Sequence, residues 1–195
     1  MAKISKLQLE EFFKSRRSYY PKHFTGEQIE DVVVEAVLEF AGMAPNHKKT
    51  KPWRFRVFKN DTLDKLVDEM KQYYIRTTSP DEISELKLGK FEEKKIKSSH
   101  ILAILVKKDE KRRVPEIEEI MAVACAVENI SLALSTYGLG GYWSTGKYTY
   151  DNVSREYLKL SPDEVLLGFF VLGVVKDRLP SAESPDTQEY LSWVK

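Results

Sequence analysis

The stretch Pro115-Glu-Ile-Glu-Glu-Ile-Met-Ala-Val-Ala-Cys-Ala-Val-Glu-Asn-Ile-Ser-Leu-Ala-Leu-Ser-Thr-Tyr-Gly138 decides how this chain is built. Proline opens it and glycine closes it, the usual punctuation of a helix, so a helix is expected over about 116–137. Apolar residues lie almost all round it: Ile120, Met121, Ala124, Val127, Ile130, Leu132 and Leu134. A helix without an obvious solvent face is either central to a large core or buried between subunits. The chain has 195 residues, which suits one domain with a single core. In so small a chain the subunit interface is the better reading.

Working outward, Ile101-Leu-Ala-Ile-Leu-Val106 is a continuous apolar run bounded by charge, the pattern of a fully buried strand. Val165 to Val175 forms the last strong strand, and Arg54-Phe-Arg-Val-Phe58 a short one. Ser5-Lys-Leu-Gln8 and Thr25-Gly-Glu-Gln28 both fit the capping box that opens a helix. After the second box, Ile29, Val32, Val33, Ala36, Val37 and Phe40 recur at helical spacing, with Gly42 and Pro45 closing the element. Asn60-Asp61 is expected to cap a further helix through Leu63, Leu66, Val67 and Met70. Residues 81–100 read as a solvated, mobile helical segment, with Glu92, Glu93, Lys94, Lys95 and Lys97 as its solvent face. Strands and helices alternate without a strict βαβ rhythm. The expected class is therefore α+β, a central mixed or antiparallel sheet flanked by helices. No repeats or linkers interrupt the chain, so a single domain over 1–195 is expected. Its tail from about 180, with Pro185 and Trp193, is expected to pack on a partner subunit.

The hydrophobic fraction of 42% and charged fraction of 31% are those of a soluble globular protein. Lys and Arg total 31 against 30 Asp and Glu, a net charge of +1 that gives no electrostatic case for nucleic acid or an anionic membrane. Cys125 is the only cysteine, which excludes an intrachain disulfide and CxxC redox or zinc motifs. Within Met121–Val127 it reads as a small buried hydrophobe. The first residues lack the apolar core of a signal peptide, and no uncharged apolar run reaches the roughly 18 residues of a membrane helix. A cytoplasmic location is expected, with no metal site.

Four clusters carry chemistry. Ser15-Arg16-Arg17-Ser18 puts two guanidiniums and hydroxyls where a helix gives way to an extended segment, able to grip a phosphate or simply to counter a helix dipole. Ala44-Pro-Asn-His-Lys-Lys-Thr-Lys-Pro-Trp-Arg-Phe55 is a polar loop between rigid elements, with His47 a donor toward a ligand or a solvated side chain, and Trp53 a core residue rather than a contact. Tyr137-Gly-Leu-Gly-Gly-Tyr-Trp-Ser-Thr-Gly146 offers close backbone approach and the hydroxyls of Ser144 and Thr145, or an ordinary helix stop and turn. It follows a helix and enters a strand, so a dinucleotide-binding GxGxxG reading fails on context. Lys176 and Arg178, at the end of the last strand, can reach a phosphate.

Taken together and in order, Arg-Arg-Ser, Ala-Pro-x-His, Pro-Trp-x-Phe, the long apolar helix into Gly-Leu-Gly-Gly-Tyr-Trp, and Leu-Gly-Phe-Phe-Val-Leu-Gly resemble the nitroreductase-like flavoprotein family from about residue 7 to 178. The Ala-Pro-x-His-Lys form and the Val-Pro-Glu before the long helix look most like its short, minimal bacterial branch. The resemblance implies an interlocked homodimer with FMN at the subunit interface. Arg16, Arg17 and Ser18 would hold the phosphate and the polar edge of the isoalloxazine, with an Arg of this pair beside the N1/O2 edge. Met43, Pro45 and His47 would come from the opposite subunit. Gly141, Trp143, Ser144 and Thr145 would contact FMN from the Gly-rich segment, and Lys176 and Arg178 would reach its phosphate. The stretch Ala133 to Gly138 would be associated with the nicotinamide cofactor.

The resemblance further implies an NAD(P)H-dependent oxidoreductase that reduces nitroaromatics, quinones or similar electron-poor compounds by a ping-pong mechanism, with NADH or NADPH as donor. The chemistry is then the flavin's, so no catalytic side chain is expected. Reductive dehalogenation, carbonyl or enone reduction, and a non-catalytic flavin-binding sensor are the alternatives. The chain departs from the family at Asn46-His47-Lys48, where Ser and Asn are common, and at Lys51, where Gln is common. Lys51 adds charge that would suit an anionic substrate or the extra phosphate of NADPH.

Overall fold

In a computed structural model that describes residues 4–194, the chain runs through α1 (Lys6–Ser15), α2 (Asp31–Ala41), β1 (Trp53–Lys59), α3 (Asn60–Arg76), α4 (Glu85–Lys97), β2 (His100–Lys107), α5 (Glu116–Leu134), β3 (Leu139–Ser144), α6 (Lys147–Tyr150), α7 (Asn152–Tyr157) and β4 (Glu164–Val174). The expected domain bounds, 1 and 195, lie just outside the described residues. The strands form one antiparallel sheet in the order β1-β2-β4-β3. Ile101 to Val106 in β2 are all fully buried because helices cover both faces of the sheet. Leu102, Ile104 and Val106 enter one core with α2 and α5, while Ile101, Ala103 and Leu105 enter a second core with α3. That double burial is why the run reads as uninterrupted rather than alternating.

The capping box at Ser5 forms as expected: Gln8 N donates to Ser5 Oγ at 3.2 Å and Ser5 N to Gln8 Oε1 at 3.0 Å. The second expected box does not. Thr25 Oγ1 accepts from Glu27 N within a turn, and the Ile29 amide is drawn to the buried Ser99 Oγ at 2.7 Å. The backbone therefore stays extended to Glu30, and the helix begins at Asp31. Lys59 rather than Asn60 is the N-cap of α3, its amide donating to Thr62 Oγ1 at 3.0 Å. The long helix ends at Leu134 and tightens into a 3-10 turn over Ser135–Tyr137. Gly138 then stops it at φ 70°, a left-handed conformation that favours glycine.

The same helix corrects a second expectation. Val123, Ala126, Val127 and Ile130 of α5 are buried beneath α2, but Ile117, Met121, Ala124 and Cys125 are exposed, Met121 at 58%. A helix lying on one face of one sheet buries a single stripe of its 3.6-residue repeat and leaves the other open. Cys125 falls on the open stripe, so within one chain it is not a core residue.

Packing at the end of β4 is tight enough to test. A Cβ on Gly173 would fall 2.3 Å from the ring of Phe24, which is fully buried. Gly173→Ala is expected to lower the unfolding free energy by about 1–3 kcal/mol in urea titrations. Gly89→Ala, where α4 leaves open space, should raise it by about 0.5–1 kcal/mol.

Candidate functional site

Leaving α1, the chain runs beside the free edge of β3. Ser18 forms a parallel bridge with Gly141, and the Tyr19 amide donates to the Gly141 carbonyl at 3.1 Å. The Tyr19 ring covers Gly140, where a Cβ would fall 2.7 Å from it, and its hydroxyl accepts from the Leu179 amide at 3.0 Å. Arg17 donates to the Pro180 carbonyl, and the Lys176 amide to the His23 carbonyl at 3.0 Å. Arg16–Ser18 and Lys176–Arg178 thus share one corner. Arg16 Nε lies 3.5 Å from Glu128 Oε1 on α5. The side chains of Ser18, Lys176 and Arg178 are exposed. Gly141 lacks a side chain for a reason internal to the sheet: a Cβ there would meet Phe170 at 2.4 Å.

From this corner, Tyr20, Pro21 and Lys22 continue into the wall of a cavity of about 660 Å³ between α3, α4 and the segment from the end of β3 into α6. Ser144 and Thr145 line it, and Tyr20 and Tyr142 meet with ring centroids 4.7 Å apart. Trp143 points to the opposite face of the strand, where its Nε1 donates to the Leu167 carbonyl at 3.1 Å over Gly168, so the cavity does not include it. Lys94 turns inward, half-buried and with no carboxylate within 4.0 Å among the described residues, and burial lowers its pKa to about 8. The Tyr148 hydroxyl, on a side chain 7% exposed, has no hydrogen-bond partner among the described residues. Burial pushes the Tyr142 phenol up to about 12 and the Tyr148 phenol up as well, so both remain neutral donors at any working pH.

Met43, Pro45 and His47 lie elsewhere. Met43 is exposed, and His47 Nδ1 sits 2.6 Å from Glu118 Oε2 near the start of α5. From Glu118 to Glu128, beside Arg16, α5 rises about 15 Å, so one chain does not bring His47 to the arginine corner. In the loop carrying it, Lys48, Lys49 and Lys51 all have positive φ, and Asn46 Oδ1 accepts from the Lys51 amide at 2.9 Å. Trp53 packs against the core beside α5, as expected.

Sequence reasoning missed Tyr19, Tyr20, Tyr142, Tyr148 and above all Lys94, which it placed on a solvated face. The outer face of α4 is instead carried by Glu92 and Lys95, paired with Lys71 and Asp68 of α3 at 2.7 and 2.9 Å. The signal was available in the helical spacing, since Lys87, Phe91 and Lys94 stand at i, i+4 and i+7 on one face. Among the described residues no helix is long and apolar enough to cross a membrane, and no three His, Cys, Asp or Glu gather as a metal site.

A model of the Nitroreductase family matches residues 13–174, and the chain belongs to that family. A protein of Escherichia coli (strain K12) that bears the provisional name NAD(P)H nitroreductase YdjA is 28% identical over 171 residues, 87% of this chain and 88% of the relative. By shape, a nitroreductase-like family protein from Bacillus cereus is similar with a TM-score of 0.78 at 20% identity, over 100% of this chain and 99% of that one. A provisionally named nitroreductase of Desulfovibrio desulfuricans, solved in complex with FMN, gives a TM-score of 0.71 at 20% identity over the same shares. The family, the α+β fold and the class of FMN-dependent oxidoreductase implied by the sequence resemblance therefore stand.

An unpaired buried hydroxyl costs stability that its removal returns. Tyr148→Phe is therefore expected to leave the thermal midpoint unchanged or higher. A clear fall in the midpoint of the ligand-free protein would mean that the hydroxyl has a structural partner.

Proposed function

We infer that this chain is an NAD(P)H oxidoreductase that holds FMN between the arginine corner and the tyrosine-lined cavity, and that it reduces nitroaromatics, quinones or similar electron-poor compounds. The carrying observation is the continuity of Arg16 to Lys22, which joins a phosphate-type donor set to a cavity with aromatic walls and an uncompensated lysine. The donor chemistry fits the cofactor. Arg16, Arg17 and Ser18, with Lys176 and Arg178, suit a dianionic phosphate. Ser144 and Thr145 offer hydroxyls, and the tyrosines suit a flat ring. Bound FMN supplies the hydride and electron transfer. What remains for the chain is to position it, exclude water and set its electrostatics. Lys94 takes the role first expected of an Arg of the 16–17 pair, a cation beside the edge of the ring that becomes electron-rich on reduction. The arginines are held at the corner by Glu128 and Pro180, whereas Lys94 faces the cavity.

The reading includes a homodimer of single-domain chains in the cytoplasm. Ile117, Met121, Ala124 and Cys125 on α5 form an open apolar stripe, and α1 has no buried residue while exposing Leu7 and Phe13. An antiparallel pairing of α5 with its copy would cover the stripe. It would also set the Met43–His47 loop of a second copy beside the Arg16 corner of the first, which reconciles their separation within one chain. Trp193, 81% exposed in the tail beyond about 180, would pack on the second copy.

Arg16→Ala and Lys94→Met are each expected to weaken FMN retention by roughly tenfold or more, the loss of one charged hydrogen bond. Steady-state turnover with NAD(P)H and a nitroaromatic should give parallel double-reciprocal lines, because donor and acceptor use one cavity in turn. Unchanged flavin content in both variants, or lines that intersect, would contradict the site and the mechanism respectively.

A further inference from the structure

The cavity wall carries five lysines, Lys22, Lys87, Lys90, Lys94 and Lys147, against one acid, Glu93. The whole chain has a net charge of only +1, so this is a local concentration of positive charge and not a general excess. None of the five has a carboxylate within 4.0 Å among the described residues, whereas Lys71 and Lys95, nearby on the outer faces of α3 and α4, are paired. Lys87 finds only the face of Tyr74, its Nζ 4.0 Å from the ring centroid. One lysine beside the flavin ring accounts for Lys94; four more at the rim are unexplained by the cofactor. Unpaired cations above aromatic walls recognise a flat ring that bears a negative charge, since the ring stacks on the tyrosines while the charge meets the field of the rim.

We propose that the rim lysines Lys22, Lys87, Lys90 and Lys147 make the cavity selective for anionic electron acceptors, aromatic compounds carrying a carboxylate or sulfonate, over neutral ones of the same shape. The proposal rests on the function inferred above and names its substrate class. It assigns these lysines to the acceptor and not to the phosphates of the nicotinamide donor, which share the same chemistry.

The test compares 4-nitrobenzoate with 4-nitrobenzamide, one charged and one neutral at similar size. Binding to the purified protein is read by calorimetry, turnover by kcat/KM, and flavin content by the visible spectrum. The benzoate should bind about tenfold more tightly at low salt, with the gap narrowing as ionic strength rises and the Debye length falls below roughly 10 Å. Lys90→Glu combined with Lys147→Glu should abolish the preference, and Lys65→Glu, an equal change of charge on the exposed side of α3, should keep it. Equal binding of the two compounds, with flavin and turnover present, would overturn the proposal and leave the oxidoreductase reading standing. So would a double variant that raises KM for NADH or NADPH while keeping the benzoate preference, because the lysines would then serve the donor. Loss of the oxidoreductase reading itself would be visible separately, as colourless protein that does not oxidise NAD(P)H.

Discussion

Tyr19 fixes the geometry on which the rest of the site depends. Strand order leaves β3 at the edge of the sheet, and an open edge offers unpaired backbone groups to whatever lies beside it. Here the Tyr19 amide takes the Gly141 carbonyl, its ring fills the space above Gly140, and its hydroxyl takes the Leu179 amide. One side chain thereby ties the segment after α1, the edge strand and the tail into a single corner. The arginines that precede it and the Tyr20–Lys22 wall that follows are set in place by that tie. The two glycines of β3 belong to the same arrangement. At 140 and 141 any side chain would collide with Tyr19 or Phe170, so these residues keep the edge flat and closed.

The second constraint is the single sheet. With helices on both faces, β2 and β4 are saturated, but α5 can bury only the stripe that meets α2 and the sheet. Its other stripe remains apolar and open, and it runs between the two places where charged loops touch the helix, His47 at Glu118 and Arg16 at Glu128. A chain that needs both loops at one ligand has a simple solution in a two-fold pair, and the proposed homodimer is that solution. The apolar stripe and the separation of the two loops then have one cause.

Much of this was legible in the sequence. The buried strand at 101–106 was visible because double burial leaves no alternation, and the long helix because proline and glycine bracket it. What the sequence concealed depended on tertiary competition. The Thr25 box failed because a buried serine far along the chain, Ser99, claims the Ile29 amide. Lys94 was hidden in a run of charges whose neighbours, Glu92 and Lys95, turn outward to α3. Cys125 was misplaced because an apolar run looks alike whether it faces a core or lies on the open stripe of a helix. Trp143 stands within the Gly-rich motif, yet its ring is held over Gly168 on the face away from the cavity, a consequence of strand alternation that motif matching does not weigh.

The central claim is that FMN sits at a site completed by two copies of the chain. Sedimentation velocity, recorded both in the protein band and in the visible band of the flavin, tests it most directly. The account predicts that all flavin absorbance travels with a dimer, at one FMN per chain, and that dilution into monomer releases the flavin in step. Flavin that sediments with a stable monomer at the same stoichiometry would contradict it.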